Sequence, residues 1–381
     1  MLEIESSLIT AIREGRDEAE QTRQLSPSVV RAINEGQLNT MAVAPAYGGI
    51  GATLSDMARV LETIAYEDVA VSWVVWNATL VGLYTRFMSE PLRAALFQAG
   101  NGLYCQSTIP AGELDLTADP ASLSGRWPLM SGCSHADWAV FTCRVKKDGD
   151  SVFDAEGMPV TRLAVVPRSD FEILDTWHTN SLRGTGSHDV VVSSSAVPDD
   201  RVFSFEGAPE RNSPSDYLPI FASVSALYAA QLLGLGRAVY DASFKRVQSS
   251  KQTGPMPPLY EREEIQLAVA RHGAGLQACA SLLQAAMTKI DSRTMNSVEP
   301  DRQEVADLYA ASMFVMDTVQ RSTRQWGKLA GSSALYVDSP IEKRTRDLDA
   351  MSRHIVAQST FQANTGRLNL GLEPSWSLFL V

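Results

Sequence analysis

The chain of 381 residues has no excess of positive charge: 33 Lys and Arg face 44 Asp and Glu, a formal net charge of −11. Without a basic field there is nothing to hold a phosphate backbone or an anionic lipid surface, so nucleic-acid binding is disfavoured. Cysteine is sparse. Cys105, Cys133, Cys143 and Cys279 stand far apart, with no CxxC and no Cys/His ligand spacing, which argues against a metal centre and predicts buried free thiols in a reducing compartment. No apolar run approaches the ~20 residues of a membrane span. Met1 to Glu20 is amphipathic and acid-rich rather than a basic stretch followed by an apolar one, unlike a signal peptide. The expectation is a cytoplasmic protein without a membrane partner. Also missing are a GxGxxG opening a helix after a strand, a GxxxxGK[ST], a GxSxG and an HExxH. Their absence argues against a self-contained nicotinamide enzyme, a P-loop NTPase, a serine hydrolase and a zinc protease.

What is present changes texture twice. From Ser6 to about Gly100 the apolar spacing is helical, with Leu54, Met57, Val60, Leu61 and Ile64 on one face and Ser55 and Asp56 at that helix's start. Gly48, Gly49 and Gly51 mark a turn before it. Between about Asn101 and Phe205 short β-prone runs appear (Trp138–Cys143, Arg162–Val166, Phe171–Leu174, Val190–Val192), punctuated by Gly, Pro, Asp and Ser, the pattern of a small antiparallel β domain. From Leu218 the chain is helical again, with long stretches at Glu261–Ile290 and Asp301–Leu329, a hinge at Gly254–Pro258, and Gly234 and Gly236 inside a helix as close-packing positions. The division expected is 1–100 helical, 101–210 β and 211–381 helical, in one catalytic unit.

Four segments carry chemistry. They are Ala44-Pro45-Ala46-Tyr47-Gly48-Gly49-Ile50-Gly51, the run Tyr104 to Gly112, the run Gly125 to Trp138, and Ser339-Pro340-Ile341-Glu342-Lys343-Arg344-Thr345-Arg346-Asp347-Leu348. In order and spacing they resemble the acyl-CoA dehydrogenase superfamily, over about Leu25 to Leu372. The resemblance implies a mainly α fold with a central β domain: an N-terminal helical domain, a small antiparallel β domain and a C-terminal four-helix bundle, usually as a homotetramer, with flavin between the β domain and the last helices.

Family dehydrogenases use a glutamate to remove a proton beside the thioester carbonyl, and a base must lie within hydrogen-bond reach. The two places where that glutamate falls correspond here to about Val224 and to His354–Ile355, and neither holds a carboxylate. His354, spaced from Met351 and Leu348 as on the apolar face of a helix, matches the histidine that the flavin monooxygenase branch places beside its isoalloxazine. Trp127 to Trp138 and Trp177 to Ser187 also look like that branch, with Ser181 where glycine is usual. The reaction implied is hydroxylation of a small aromatic or heteroaromatic ring, or an amine, through a C4a-hydroperoxyflavin. It would use O2 and reduced FAD or FMN, FAD favoured, from a separate NAD(P)H:flavin reductase.

The catalytic residues implied are His354, which titrates near neutrality if unperturbed, and Ser131 beside flavin N5. Further cofactor contacts fall on Tyr104, Gln106, Ser107, Met130 and Ser187, and Arg246 matches an arginine that reaches the flavin phosphates from a neighbouring subunit. The same resemblance places Trp76, Asn77 and His178 beside the substrate, with Trp73 on the same helix as Trp76. Two other readings stay open: an FAD-dependent acyl-CoA dehydrogenase whose base lies elsewhere, and a catalytically silent oligomeric homologue.

Overall fold

Helix α1 (Ser6–Thr22) and α2 (Pro27–Glu35) lead into α3 (Leu54–Glu67), α4 (Val69–Leu83) and the single turn α5 (Glu90–Arg93) of a computed structural model that describes residues 2, 4–98, 102–206, 209–252 and 254–381. The predicted face of α3 is the buried one. Its start is capped differently from the expectation: the Thr53 hydroxyl accepts from Asp56 N, and the Asp291 carboxylate accepts from Leu54 N and Ser55 N at 2.8 and 3.1 Å. These bonds satisfy the amides that open a helix. Gly48 and Gly51 take φ of +83° and +63°, the left-handed conformation that a Cβ disfavours. Helix α4 is buried on every face.

The middle of the chain forms β1 (Leu103–Asp115), β2 (Ala121–Met130), β3 (Ala136–Lys147), β4 (Asp150–Ser151), β5 (Thr161–Pro167), β6 (Glu172–Leu174), β7 (His188–Val197) and β8 (Val202–Phe203). Their order is β6-β7-β2-β1-β3-β5-β8, with β4 on β3. The sheet is mixed, not antiparallel as expected: β1 and β3 pair in parallel. The chain leaves β2 at Met130, turns through Gly132 and a 3-10 turn at Cys133–His135, and enters β3 on the other side of β1. Alternation then divides the side chains between two faces. Tyr104, Val140 and Val165 join the large helical core, while Cys105, Ala139, Phe141 and Val166 build a second core with Trp127.

Helices α6 (Ile220–Gln248), α7 (Glu263–Thr294), α8 (Arg302–Leu329), α9 (Pro340–Met351) and α10 (Ser359–Asn369) complete the chain. By length and composition α6 is apolar enough to cross a membrane, which corrects the expectation that no segment is; the qualifying window is 94% buried inside the protein, as a central core helix should be. Its glycines explain the packing. A Cβ on Gly234 would meet the Glu62 carbonyl oxygen of α3 at 2.1 Å, and one on Gly236 the Val319 side chain of α8 at 2.6 Å. All four cysteines are buried and free.

Candidate active site

Three elements converge where α4, the end of β2 and the α9–α10 connection meet. Helix α4 is capped by Asp68, whose carboxylate accepts from Ala70 N at 2.8 Å. From it project Trp73 and, one helical turn on, Trp76 and Asn77, all buried. His354 does not sit on a helix as its spacing predicted. Helix α9 ends at Met351, and His354 caps the 3-10 turn Ile355–Ala357, accepting from Val356 N at Nδ1 over 3.4 Å. Its half-buried imidazole stacks on Tyr228 of α6 (5.3 Å, 19°) and meets Trp73 and Trp76 edge-on at 5.3 and 5.6 Å. Tyr228 in turn donates to the Met351 carbonyl.

These surroundings revise the titration. Burial, the sole cause acting on His354, lowers its pKa to about 4. A nearby carboxylate would raise it, so among the described residues no acid acts on this ring. At neutral pH the imidazole is uncharged. With Nδ1 accepting, Nε2 carries the hydrogen and is a donor. The expectation of a group titrating near neutrality is therefore corrected. Val224 is buried on α6, and it is Tyr228, one turn on, that meets the histidine. The sequence signal for Tyr228 was a lone phenol in an otherwise small and aliphatic helical run.

Opposite the rings, Ser131 follows β2 in a turn held by Leu129 and Gly132 at positive φ. The Trp73 indole N–H donates to Ser131 Oγ at 3.0 Å, Ser131 and Ser187 hydroxyls lie 2.7 Å apart, Ser187 and Thr185 likewise, and Thr185 donates to the Leu182 carbonyl at 2.8 Å. A carbonyl only accepts, so the last bond orients the rest. Thr185 must receive the Ser187 proton and Ser187 the Ser131 proton. Ser131 thus has its proton committed, one lone pair taken by Trp73 and one left to accept. Thr185, which completes this chain, escaped notice in the sequence because a threonine in a Gly-rich loop is ordinary.

The other expected site residues fall in several places. Gln106 on β1 reaches Asn77 at 3.4 Å, and Asn77 donates to the Trp73 carbonyl at 2.9 Å, so both belong to the cluster's rim. The Ser107 hydroxyl accepts from Ile109 N at 3.3 Å, beside a shift in the β1–β3 register. The Tyr104 phenol donates to the Leu96 carbonyl and Met130 lies in the sheet's own core; neither side chain joins the cluster. His178 is exposed, beside Arg23 and Asp175. Arg246 lies in the last turn of α6, about 27 Å beyond Tyr228 at 1.5 Å per residue, so within one chain it is remote from the rings. The indole N–H of Trp76 is buried without a hydrogen-bond partner, an unsatisfied donor beside His354.

Against known proteins, residues 5–98 match the family model for the acyl-CoA dehydrogenase N-terminal domain and residues 226–359 that for the C-terminal domain. The chain belongs to the acyl-CoA dehydrogenase superfamily. Similar full-length proteins include an indole-3-acetate monooxygenase of Acinetobacter baumannii (24% identical, over 92% of this chain and 89% of that protein). Another is the oxygenase component of an FADH2-dependent resorcinol hydroxylase of a Rhizobium species (23%, 95% and 92%). Among solved structures, XiaF from Streptomyces in complex with FADH2 and glycerol superimposes with a TM-score of 0.88 at 24% identity, over 97% of this chain and 94% of that one. The 3-HSA hydroxylase of a Rhodococcus species gives 0.87 at 22%, over 97% of each. Within the superfamily, the chain falls on the flavin-dependent monooxygenase branch.

Proposed function

We propose that this chain is the oxygenase component of a two-component flavin monooxygenase, taking reduced FAD or FMN from a separate NAD(P)H:flavin reductase and using O2 to hydroxylate a small aromatic or heteroaromatic substrate. The observation that carries this reading is the neutral His354 imidazole, set among Trp73, Trp76 and Tyr228 and facing no carboxylate among the described residues. An α-proton abstraction finds no carboxylate base there among the described residues, whereas apolar rings with hydrogen-bond donors suit oxygen transfer.

The donor set fits the reduced cofactor. Ser131 offers an accepting lone pair and no free proton, which matches the N5–H of reduced flavin and mismatches the bare N5 of the oxidised form. When bound, the flavin supplies the activated oxygen atom. The protein's own part is to exclude water with the two indoles and the phenol, to hold Ser131 through Trp73 and Ser187, and to offer the His354 Nε2 hydrogen and the unsatisfied Trp76 N–H as donors to the reactants' oxygen atoms. We further propose Gln106 and Asn77 as the polar rim, residues 1–100, 101–210 and 211–381 as the three domains, and a homotetramer in which Arg246 serves a neighbouring subunit. The buried free thiols suit a cytoplasmic setting.

The test is anaerobic mixing with reduced FAD or FMN, then a pulse of 18O2 with a panel of phenols and indoles. Labelled hydroxylated product is expected from at least one member. Hydrogen peroxide equal to the reduced flavin across the whole panel would overturn the proposal, as would tightly bound oxidised FAD that an acyl-CoA bleaches.

A further inference from the structure

Lys343, the fourth residue of α9, takes no part in the ring cluster, and its ammonium is largely enclosed. Nζ lies 2.8 Å from Asp347 Oδ2, 3.3 Å from Asp68 Oδ2 and 3.4 Å from Glu20 Oε1. Both aspartates are buried, and each spends its other oxygen on a backbone amide that opens a site element. Asp68 Oδ1 holds Ala70 N at the start of α4, which carries Trp73, Trp76 and Asn77. Asp347 Oδ1 holds Leu182 N at 2.7 Å, and the Leu182 carbonyl anchors the Thr185–Ser187–Ser131 chain. Leu182 sits at φ +49°, a conformation that a leucine keeps only when its surroundings impose it. The third element is α9 itself, which runs on from Lys343 to Met351, three residues before His354. Arg346 adds a second hold on the same loop, donating to the Asn180 carbonyl while pairing with Glu20.

We infer that Lys343 is a positioning residue for the active site: one buried ammonium clamps the three segments that deliver Trp73, Ser131 and His354. The chemistry suits lysine. An ammonium has three donors to distribute among separate carboxylates, where a planar guanidinium favours one bidentate partner. Burial works against the Lys343 charge, but Asp68, Asp347 and Glu20 outweigh it and hold its pKa above the ordinary lysine value. Removing the ammonium leaves buried Asp347 without its counter-ion and Asp68 with only the longer Arg16 pair at 3.8 Å, so the acceptors that fix both amides are loosened. That the clamp serves oxygen transfer rests on the function proposed above; that it couples the three segments does not.

The experiment is hydrogen exchange on the flavin-free protein, paired with turnover using reduced FMN. Lys343→Met should speed amide exchange in 182–187 and 70–77 on the order of a hundredfold, about 2.8 kcal/mol at 1.4 kcal/mol per decade, and leave α7 unchanged. In turnover, kcat and the product formed per reduced FMN should fall while KM for the aromatic substrate holds. Lys343→Arg, which keeps the charge, should recover part of both. If Lys343→Met does not fold, Asp347→Asn loosens 182–187 alone and leaves α4 protected. Arg324→Ala, which removes an exposed ion pair from α8 to Asp349 of α9, should change neither segment. Uniform loosening of all helices, or unchanged exchange in both segments, refutes the clamp. If exchange follows the expected pattern while the wild type hydroxylates nothing in the panel, the clamp stands and the oxygenase reading falls.

Discussion

Replacing His354 with glutamine should flatten part of the protein's acid sensitivity. The unfolded chain protonates this imidazole near its ordinary 6.5, and the folded chain resists down to about 4. Between those values the unfolded state binds more protons, so stability falls as the pH drops from 6.5 towards 4. Over the whole interval the loss is roughly 3 kcal/mol at 1.36 kcal/mol per pKa unit, and between pH 7 and pH 5 it is about 2 kcal/mol. Burial also depresses His135, His188 and His272, but they titrate alike in both proteins and cancel in the difference. The assay is urea unfolding of wild type and His354→Gln at pH 7 and pH 5. The variant should lose about 2 kcal/mol less than wild type over that step. Equal losses would refute a deeply depressed histidine, and with it the claim that the imidazole is a neutral Nε2–H donor at pH 7. In turnover, product per reduced flavin in the wild type should show no ionisation of this group between pH 6 and 8, whereas the variant should release peroxide in place of product.

Ser187→Ala cuts the hydroxyl chain and frees the Ser131 proton; fluorescence titration should show weaker binding of reduced FMN and a narrowed preference over oxidised FMN, and chemical denaturation a loss of about 1–2 kcal/mol. Trp73→Phe keeps an aromatic ring against His354 but removes the donor to Ser131; peroxide release should rise while thermal stability changes little. Gly234→Ala drives a Cβ into the Glu62 carbonyl and should cost about 1–3 kcal/mol by overpacking, read as a lowered midpoint in urea.

Local patterns were legible where one segment decides them alone. The apolar face of α3, the long helices α7 and α8, the glycine pair in α6 and the acidic balance follow from spacing and residue type, and periodicity is a property of a single element. The strand runs were visible too, because alternation reports two-sided burial. The order of those strands was not: whether β3 returns beside β1 in parallel depends on which edge accepts it, and nothing within β3 records that.

His354 shows the same division. Its residue type, and the lack of a carboxylate at the two places where a dehydrogenase base would fall, stood in the sequence. Its spacing from Met351 pointed to a helix that in fact stops there. Its pKa depended on Trp73, Trp76 and Tyr228, brought from two other helices. Ser131 meets Ser187 across 56 residues and Asp347 holds Leu182 across 165, so the hydroxyl chain and the lysine clamp exist only once the chain has closed. By itself the sequence determined which side chains are able to donate or accept a proton and where most helices and strands lie, since those follow from residue type and near neighbours. The tertiary structure alone decided which of them share a low-dielectric space, and there burial sets the charge state and a single carbonyl acceptor sets the direction of every hydrogen bond behind it.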